Sequence, residues 1–197
     1  MVVIEGKGIV RPNPIRVAFS KTDLNLLSDI AERREQHRGY SRSKSKWKSG
    51  STGNPILCGL VGEFAFQEFL RRRGVKTSIV DDSLNSGDGG IDGRICGKTY
   101  QVKTSRRAFQ TCLVRRVGEG RNLIPLAANR FVFCCWNGVS LHCDLRGWCE
   151  RPQIRKHGQL KKARVRGATW RNTEVHEHWL LPMQSLAVLI KQELSND

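Results

Sequence analysis

The stretch Gly87-Asp88-Gly89-Gly90-Ile91-Asp92-Gly93-Arg94-Ile95-Cys96-Gly97-Lys98-Thr99-Tyr100-Gln101-Val102-Lys103 decides how this chain is read. Cys96-Gly97 has the length and composition of a compact hairpin turn, with one strand over Gly90 to Ile95 and the next over Lys98 to Thr104. Side chains alternate across a strand, so Gln101 and Lys103 share one face while Tyr100 and Val102 take the other, into the core. Asp92 lies on the partner strand, where its carboxylate can approach Gln101 and Lys103 across the ladder. Glycines at 87, 89, 90 and 93 permit sharp backbone geometry beside that carboxylate. One carboxylate, one amide oxygen and one lysine at a strand edge can hold a hard divalent cation and a phosphate. Taken residue by residue, the same string also reads as a glycine-rich turn with a capping Asp and a surface Lys.

Upstream, Pro55 suits the first turn of a helix and Gly74 its stop, which predicts a helix from Pro55 to Arg73. Its interior is apolar nearly all the way round and should be buried, yet it carries two acids, Glu63 and Glu68, that periodicity cannot separate. A short strand is expected over Lys76 to Asp81. Further upstream, Ser20 or Thr22 can cap a helix running from Asp23 to His37, with Leu24, Leu27, Ile30 and Ala31 on one stripe. The opening, Val2 to Val17, reads as extended. Between the two helices lies a basic, Ser/Gly-rich loop, Arg38 to Asn54, with Tyr40 and Trp47 embedded. It reads either as a solvated linker or as a clamp whose Lys44, Lys46 and Lys48 close on a phosphate backbone. Downstream, Ser105 to Arg130 is ambiguous and is expected to include a helix or loop crossing. Arg130 to Trp136 and Val139 to Asp144 read as a hairpin around Asn137-Gly138. Arg146 to Arg171 reads as basic and irregular, and Met183 to Leu194 as a closing amphipathic helix.

Composition narrows the partner. The chain has 197 residues, enough for one compact domain, with 34 Lys and Arg against 18 Asp and Glu and a formal charge of +16. The cations run from Arg33 to Arg171 and are not confined to a tail, which favours a folded surface that tracks a polyanion. No apolar run approaches a membrane span, and the first ten residues are too short and broken for a signal peptide. Seven cysteines include no C-x-x-C pair, which argues against structural zinc; an odd count without a secretion signal points to reduced thiols in a cytoplasm.

Gly-Asp-Gly-Gly-Ile-Asp-Gly followed by Gln-Val-Lys resembles the catalytic core of the PD-(D/E)XK nuclease superfamily, most closely the Mrr-type restriction endonuclease domain, where Gln-x-Lys replaces acid-x-Lys. The resemblance takes in Gly62-Glu63 and spans Leu57 to Ser105, about a quarter of the chain. It implies an α/β (α+β mixed) fold, a restriction-endonuclease-like core with a central mixed β-sheet flanked by helices in the order αβββαβ. It also implies a single nuclease domain over residues 1–197, with the core at about 55–145, the N-terminal helix and basic loop at 20–54 and a basic extension at 146–197. Asp92 would be the principal Mg²⁺ or Mn²⁺ ligand, assisted by the Gln101 amide oxygen. Lys103 would stabilise the reacting phosphate, and Glu63 would hold a second ion or a water. Asp88 and Glu68 are the rival acids. Arg106 and Arg107, just after the catalytic strand, would grip flanking phosphates. The implied activity is metal-dependent DNA endonuclease cleavage, of restriction, homing, junction-resolving or phage DNA-processing type, with a homodimer as the simplest way to cut two strands. The competing reading is a non-catalytic basic nucleic-acid-binding protein.

Overall fold

The computed structural model describes residues 13–37, 54–77, 91–106, 111–116, 126–165 and 168–196. In chain order these form β1 (Ile15–Ala18), α1 (Lys21–His37), α2 (Pro55–Arg71), β2 (Gly93–Ile95), β3 (Lys98–Ser105) and β4 (Thr111–Arg116). Then come β5 (Arg130–Cys135), β6 (His142–Glu150), α3 (Arg151–His157), β7 (Gln159–Val165), β8 (Ala168–His176), a 3₁₀ turn (Glu177–Trp179) and α4 (Met183–Asn196). Local chemistry explains the helix starts. The Ser20 hydroxyl accepts the Asp23 N–H while the Asp23 carboxylate accepts the Ser20 N–H and O–H, a reciprocal cap for α1. The Asn54 side chain accepts the N–H groups of Ile56 and Leu57 ahead of α2, and Gly74 turns the chain beyond its end at φ +79°.

Five strands form one mixed sheet in the order β1-β6-β5-β3-β2, and β4-β8-β7 form a second, antiparallel sheet. In the main sheet only β3 and β5 are parallel, in register from Tyr100↔Arg130 to Ser105↔Cys135. Both faces of the main sheet are covered. On one side Leu27 and Ile30 of α1, Phe66 and Phe69 of α2, and Leu186 and Ile190 of α4 pack with Val17, Tyr100, Val102, Val132, Cys134 and Leu145. On the other, Phe131, Phe133 and Cys149 meet Cys112, Val114, Ile154, Val175 and Leu180. The result is three layers, helices over a sheet over a smaller sheet. Being covered on both faces is why β5 reads Phe-Val-Phe-Cys-Cys without polar alternation. No helix among the described residues is long and apolar enough to cross a membrane.

Within Ser105 to Arg130, residues 111–116 form a strand, β4, which pairs with β8 and not with the main sheet, and much of the expected helix or loop crossing lies outside the described residues. Two expectations change. The described residues of Arg146 to Arg171 are regular, comprising the second half of β6, α3, β7 and the start of β8, so structure built into the core runs well past residue 145. Asn137-Gly138 is not a two-residue turn, because the β5–β6 ladder ends at Cys135↔Asp144. There the Asn137 side chain accepts the N–H groups of Val139 and Ser140, and the Trp136 indole N–H donates to Ser140 O at 2.8 Å. These bonds close a wider loop than the dipeptide alone dictates. In β6 the ladder skips Arg146, a bulge next to Gly147 at φ +153°. A side chain at Gly147 would meet Leu181 O at 2.8 Å. The bulge lets Arg146 reach the buried Glu177 carboxylate at 2.7 Å, joining the main sheet to the end of the second one.

Candidate active site

The hairpin is built as its sequence suggests. Cys96 and Gly97 both adopt left-handed backbone, φ +46° and +66°, the turn type whose twist matches paired strands. β2 pairs with β3 only over Gly93↔Tyr100, Arg94↔Thr99 and Ile95↔Lys98. One residue further, Asp92 carries the ladder on by itself. Its N–H donates to Tyr100 O at 2.8 Å, and its Oδ2 accepts the Val102 N–H at 2.6 Å. The carboxylate is therefore fixed against β3 by a charge-assisted bond to the backbone between Gln101 and Lys103.

Alternation along β3 separates the faces as expected. Tyr100 and Val102 pack with α2, the Tyr100 ring lying 5.7 Å from that of Phe66. Gln101 and Lys103 are in register with Phe131 and Phe133, and so stand on the face turned to the second sheet. Gln101 is buried, 9% exposed, and Lys103 is half-buried.

Glu63 comes from the opposite layer. Its neighbour Gly62 is pressed onto β3 at Thr104, where a Cβ on residue 62 would collide with Oγ1. The turn of α2 that bears Glu63 therefore sits at the Lys103–Thr104 level of the strand. Glu68 is placed elsewhere. It accepts from Arg71 at 2.7 and 2.9 Å and lies 3.7 Å from Arg72, and the Arg71 hydrogen bond holds its carboxyl below the usual range. Helical periodicity could not separate the two acids; in the structure Glu68 is taken up by Arg71 and Arg72, while the turn of α2 next to Glu63 lies against β3. The contact also makes a prediction. Gly62→Ala should destabilise the protein by about 1–3 kcal/mol through overpacking, despite the roughly 1 kcal/mol gained in helix propensity. Adding Thr104→Ala should recover part of that loss, and urea midpoints that combine additively would sink the packing argument.

Arg106 Nη2 donates to Asn54 O at 3.3 Å, and its guanidinium lies beside the Cys58 thiol, whose pKa burial raises while Arg106 opposes the rise. It ties the end of β3 to the start of α2. Asp88, Lys44, Lys46, Lys48 and Arg107, together with most of the strand expected over Lys76 to Asp81, lie outside the described residues. Among the described residues no three His, Cys, Asp or Glu side chains converge as metal ligands. Of the cysteines, Cys58, Cys112, Cys134, Cys143 and Cys149 are buried, and burial pushes the Cys149 thiol up to about 12. They fill core positions. No protein-family model, curated protein or solved structure matches this chain.

Proposed function

We propose that the chain is a metal-dependent DNA endonuclease of the PD-(D/E)XK type, with an Mrr-like Gln-x-Lys strand on a restriction-endonuclease-like core. The observation that carries this reading is the Asp92 carboxylate bonded to the Val102 N–H, between Gln101 and Lys103. The donor set is all hard oxygen, a carboxylate with an amide and a further carboxylate, Glu63, on α2. That suits Mg²⁺ or Mn²⁺, which is held through one or two carboxylates plus waters and substrate phosphate. Asp92 and Gln101 would hold the ion, and when bound it would lower the pKa of a water at the scissile phosphate. The remaining work belongs to the chain. The Val102 N–H keeps the Asp92 carboxylate in one orientation. The Lys103 ammonium, two residues along the same face as Gln101, offsets negative charge as it develops on phosphorus oxygens. Glu63 offers a carboxylate to orient a water. With Gln101 in place of an acid, ion affinity in the free protein should be weak and rise when phosphate completes the set.

Supercoiled plasmid, branched duplex and single-stranded DNA incubated with Mg²⁺ or Mn²⁺ test the reading. Cleavage that stops in chelator and leaves 5′-phosphate and 3′-hydroxyl ends is the expected result. Tight binding without cleavage of any of these substrates would replace it with the non-catalytic nucleic-acid-binding reading, which the charge of +16 supports equally well.

A further inference from the structure

We propose that Trp179, bedded on His157, is a stacking platform for one unpaired base, and that it directs the chain to DNA with a single-stranded segment. The inference deepens the nuclease reading above and rests on its nucleic-acid part. Trp179 is the one exposed Phe, Tyr or Trp among the described residues, at 41%. Its indole lies nearly parallel to the His157 imidazole, with ring centroids 3.7 Å apart and planes 15° from each other. The His178 ring stands 4.7 Å from the indole, and the His176 ring 4.2 Å from that of His178. Four rings thus form one continuous row, from the last residue of α3 to the 3₁₀ turn and the end of β8.

The turn that carries Trp179 is fixed on both sides. Before the indole, the His176 ring accepts the His178 N–H at 3.4 Å, and the two Nδ1 atoms meet at 2.5 Å, a contact that needs one proton between them. The buried Glu177 carboxylate holds the Arg146 guanidinium at 2.7 Å. After the indole, Leu180 is buried and Leu181 exchanges backbone bonds with Trp148 at 2.7 and 3.0 Å. An aromatic ring on so fixed a segment loses little freedom when a second ring stacks on it, which is how preorganisation raises affinity. Burial, with Lys156 and His178 close by, holds the His157 imidazole below its usual pKa, so at neutral pH it is an uncharged bed for the indole.

The surrounding charge selects a nucleotide over other flat partners. Arg155 and Lys156, both exposed, occupy the last turn of α3 beside His157, and α3 itself holds no acid. An exposed aromatic with cations at its rim is the arrangement that binds single strands, with phosphates on the cations and a base on the ring. In intact duplex each base face is already covered by its neighbours, and exposing one costs unstacking energy, so the indole favours a base that is unpaired from the start. Strand register places the platform. Arg146, which holds Glu177, precedes Gly147; Gly147 pairs with Phe133, and Phe133 with Lys103. The turn therefore joins β6 at the Lys103 level of the main sheet, two strands or about 10 Å across from β3. Leu180 packs with Phe131 and Phe133, on the side where Lys103 also stands. A strand with a phosphate at Lys103 can reach the indole within a few nucleotides.

The test omits divalent ions, so it does not depend on cleavage. Anisotropy would follow a labelled 20-base-pair duplex, blunt or with a six-base single-stranded overhang, binding to the full chain. The wild type should bind the overhang duplex at least about fivefold more tightly than the blunt one, the least that one stacked base contributes. Trp179→Leu keeps an apolar side chain but has no ring face. It should lose most of that preference while its affinity for blunt duplex stays within about twofold, and Trp179→Phe should fall between. The log–log salt slope should not change, since no phosphate contact is removed. An abasic nucleotide moved along the overhang probes the wild type itself, and so decides the matter even if a variant does not fold. One position should abolish the gain and the others should leave it. Equal binding of blunt and overhang duplex by the wild type would overturn the platform, as would an abasic scan without effect or equal losses on both duplexes in Trp179→Leu. So would a dimer that Trp179→Leu turns into monomers in sedimentation velocity, since a second copy would then cover the indole. A wild type that binds none of these DNAs would remove the nucleic-acid reading as well, whereas DNA binding indifferent to the overhang and to Trp179 would leave that reading standing.

Discussion

Asp92→Asn should lower Mg²⁺-dependent cleavage at least about a thousandfold, the scale on which a preorganised group facing developing charge acts, while duplex affinity stays near wild type. The substitution separates two duties that one side chain performs. An amide oxygen at position 92 can still accept the Val102 N–H, now held at 2.6 Å, so the ladder between β2 and β3 survives. What disappears is the charge that would hold the ion. Asp92→Ala removes both duties, and a Val102 N–H without a partner costs about 1–3 kcal/mol if it stays buried. Asp92→Ala should therefore fall in stability as well as activity, whereas Asp92→Asn should fall in activity alone. Lys103→Met tests the second group, with an expected loss of about 10²–10³ in the single-turnover rate and little change in stability. Gln101→Glu adds an acid to the set and should lower the Mg²⁺ concentration needed for half-maximal rate. Single-turnover kinetics at saturating protein would measure these rates. An Asp92→Asn protein that cuts at the wild-type rate would remove the site assignment, whatever the other variants do.

The parts of this fold that could be read in the sequence are those where one residue type has one physical use. Gly97 after Cys96 accepts the left-handed backbone of a two-residue turn, and Pro55 and Gly74 bracket α2 because each is favoured at one helix end. The Gln101/Lys103 face followed from strand alternation alone. The second sheet was hidden because its strands mix two patterns. Cys112, Val114, Thr173 and Val175 alternate as core residues should. Past Val114 and Thr173 the same parity switches to Arg116, Arg171 and Lys162, so the run as a whole looks like a basic coil. Asn137-Gly138 misled for a different reason: Gly138 does take φ +94°, but the Asn137 side chain and the Trp136 indole spend their hydrogen bonds on a wider loop. Arg130 was legible only as one more cation. Its partners lie 30 and 63 residues away, a separation that no local pattern encodes.

Those partners make Arg130 the best place to alter stability without touching the site. Its side chain is 4% exposed at the first position of β5. Nη1 donates to the Tyr100 hydroxyl at 2.6 Å and to Glu193 Oε2 at 2.8 Å, Nη2 donates to Glu193 Oε1, and Nε lies 3.5 Å from a Glu150 carboxylate oxygen. Burial works against the charged guanidinium, but the hydrogen bonds to Glu193 and Tyr100 outweigh it and raise its pKa. The contact joins β3, β5 and α4, so α4 is held to the main sheet by charge as well as by Leu186 and Ile190. The two partners are not equivalent to remove. Glu193→Ala leaves a buried cation with, among the described residues, the half-exposed Glu150 at 3.5 Å to balance it, and should cost about 3 kcal/mol, the low end for breaking a buried ion pair. For a chain of this size that is a fall in melting temperature of roughly 6–12 °C. Arg130→Met instead removes the buried charge and keeps much of the volume. Glu193, 22% exposed, can then be hydrated, and the main loss is the Tyr100 hydroxyl's partner, about 1–2 kcal/mol. Glu193→Ala should thus be the more damaging change although it deletes the more exposed side chain, and Arg130→Met/Glu193→Ala should be no worse than Arg130→Met alone. Thermal melts of the three variants decide the matter: if Arg130→Met proves the most destabilising, the stems and rings packed around the guanidinium, and not its charge, are what hold α4 in place.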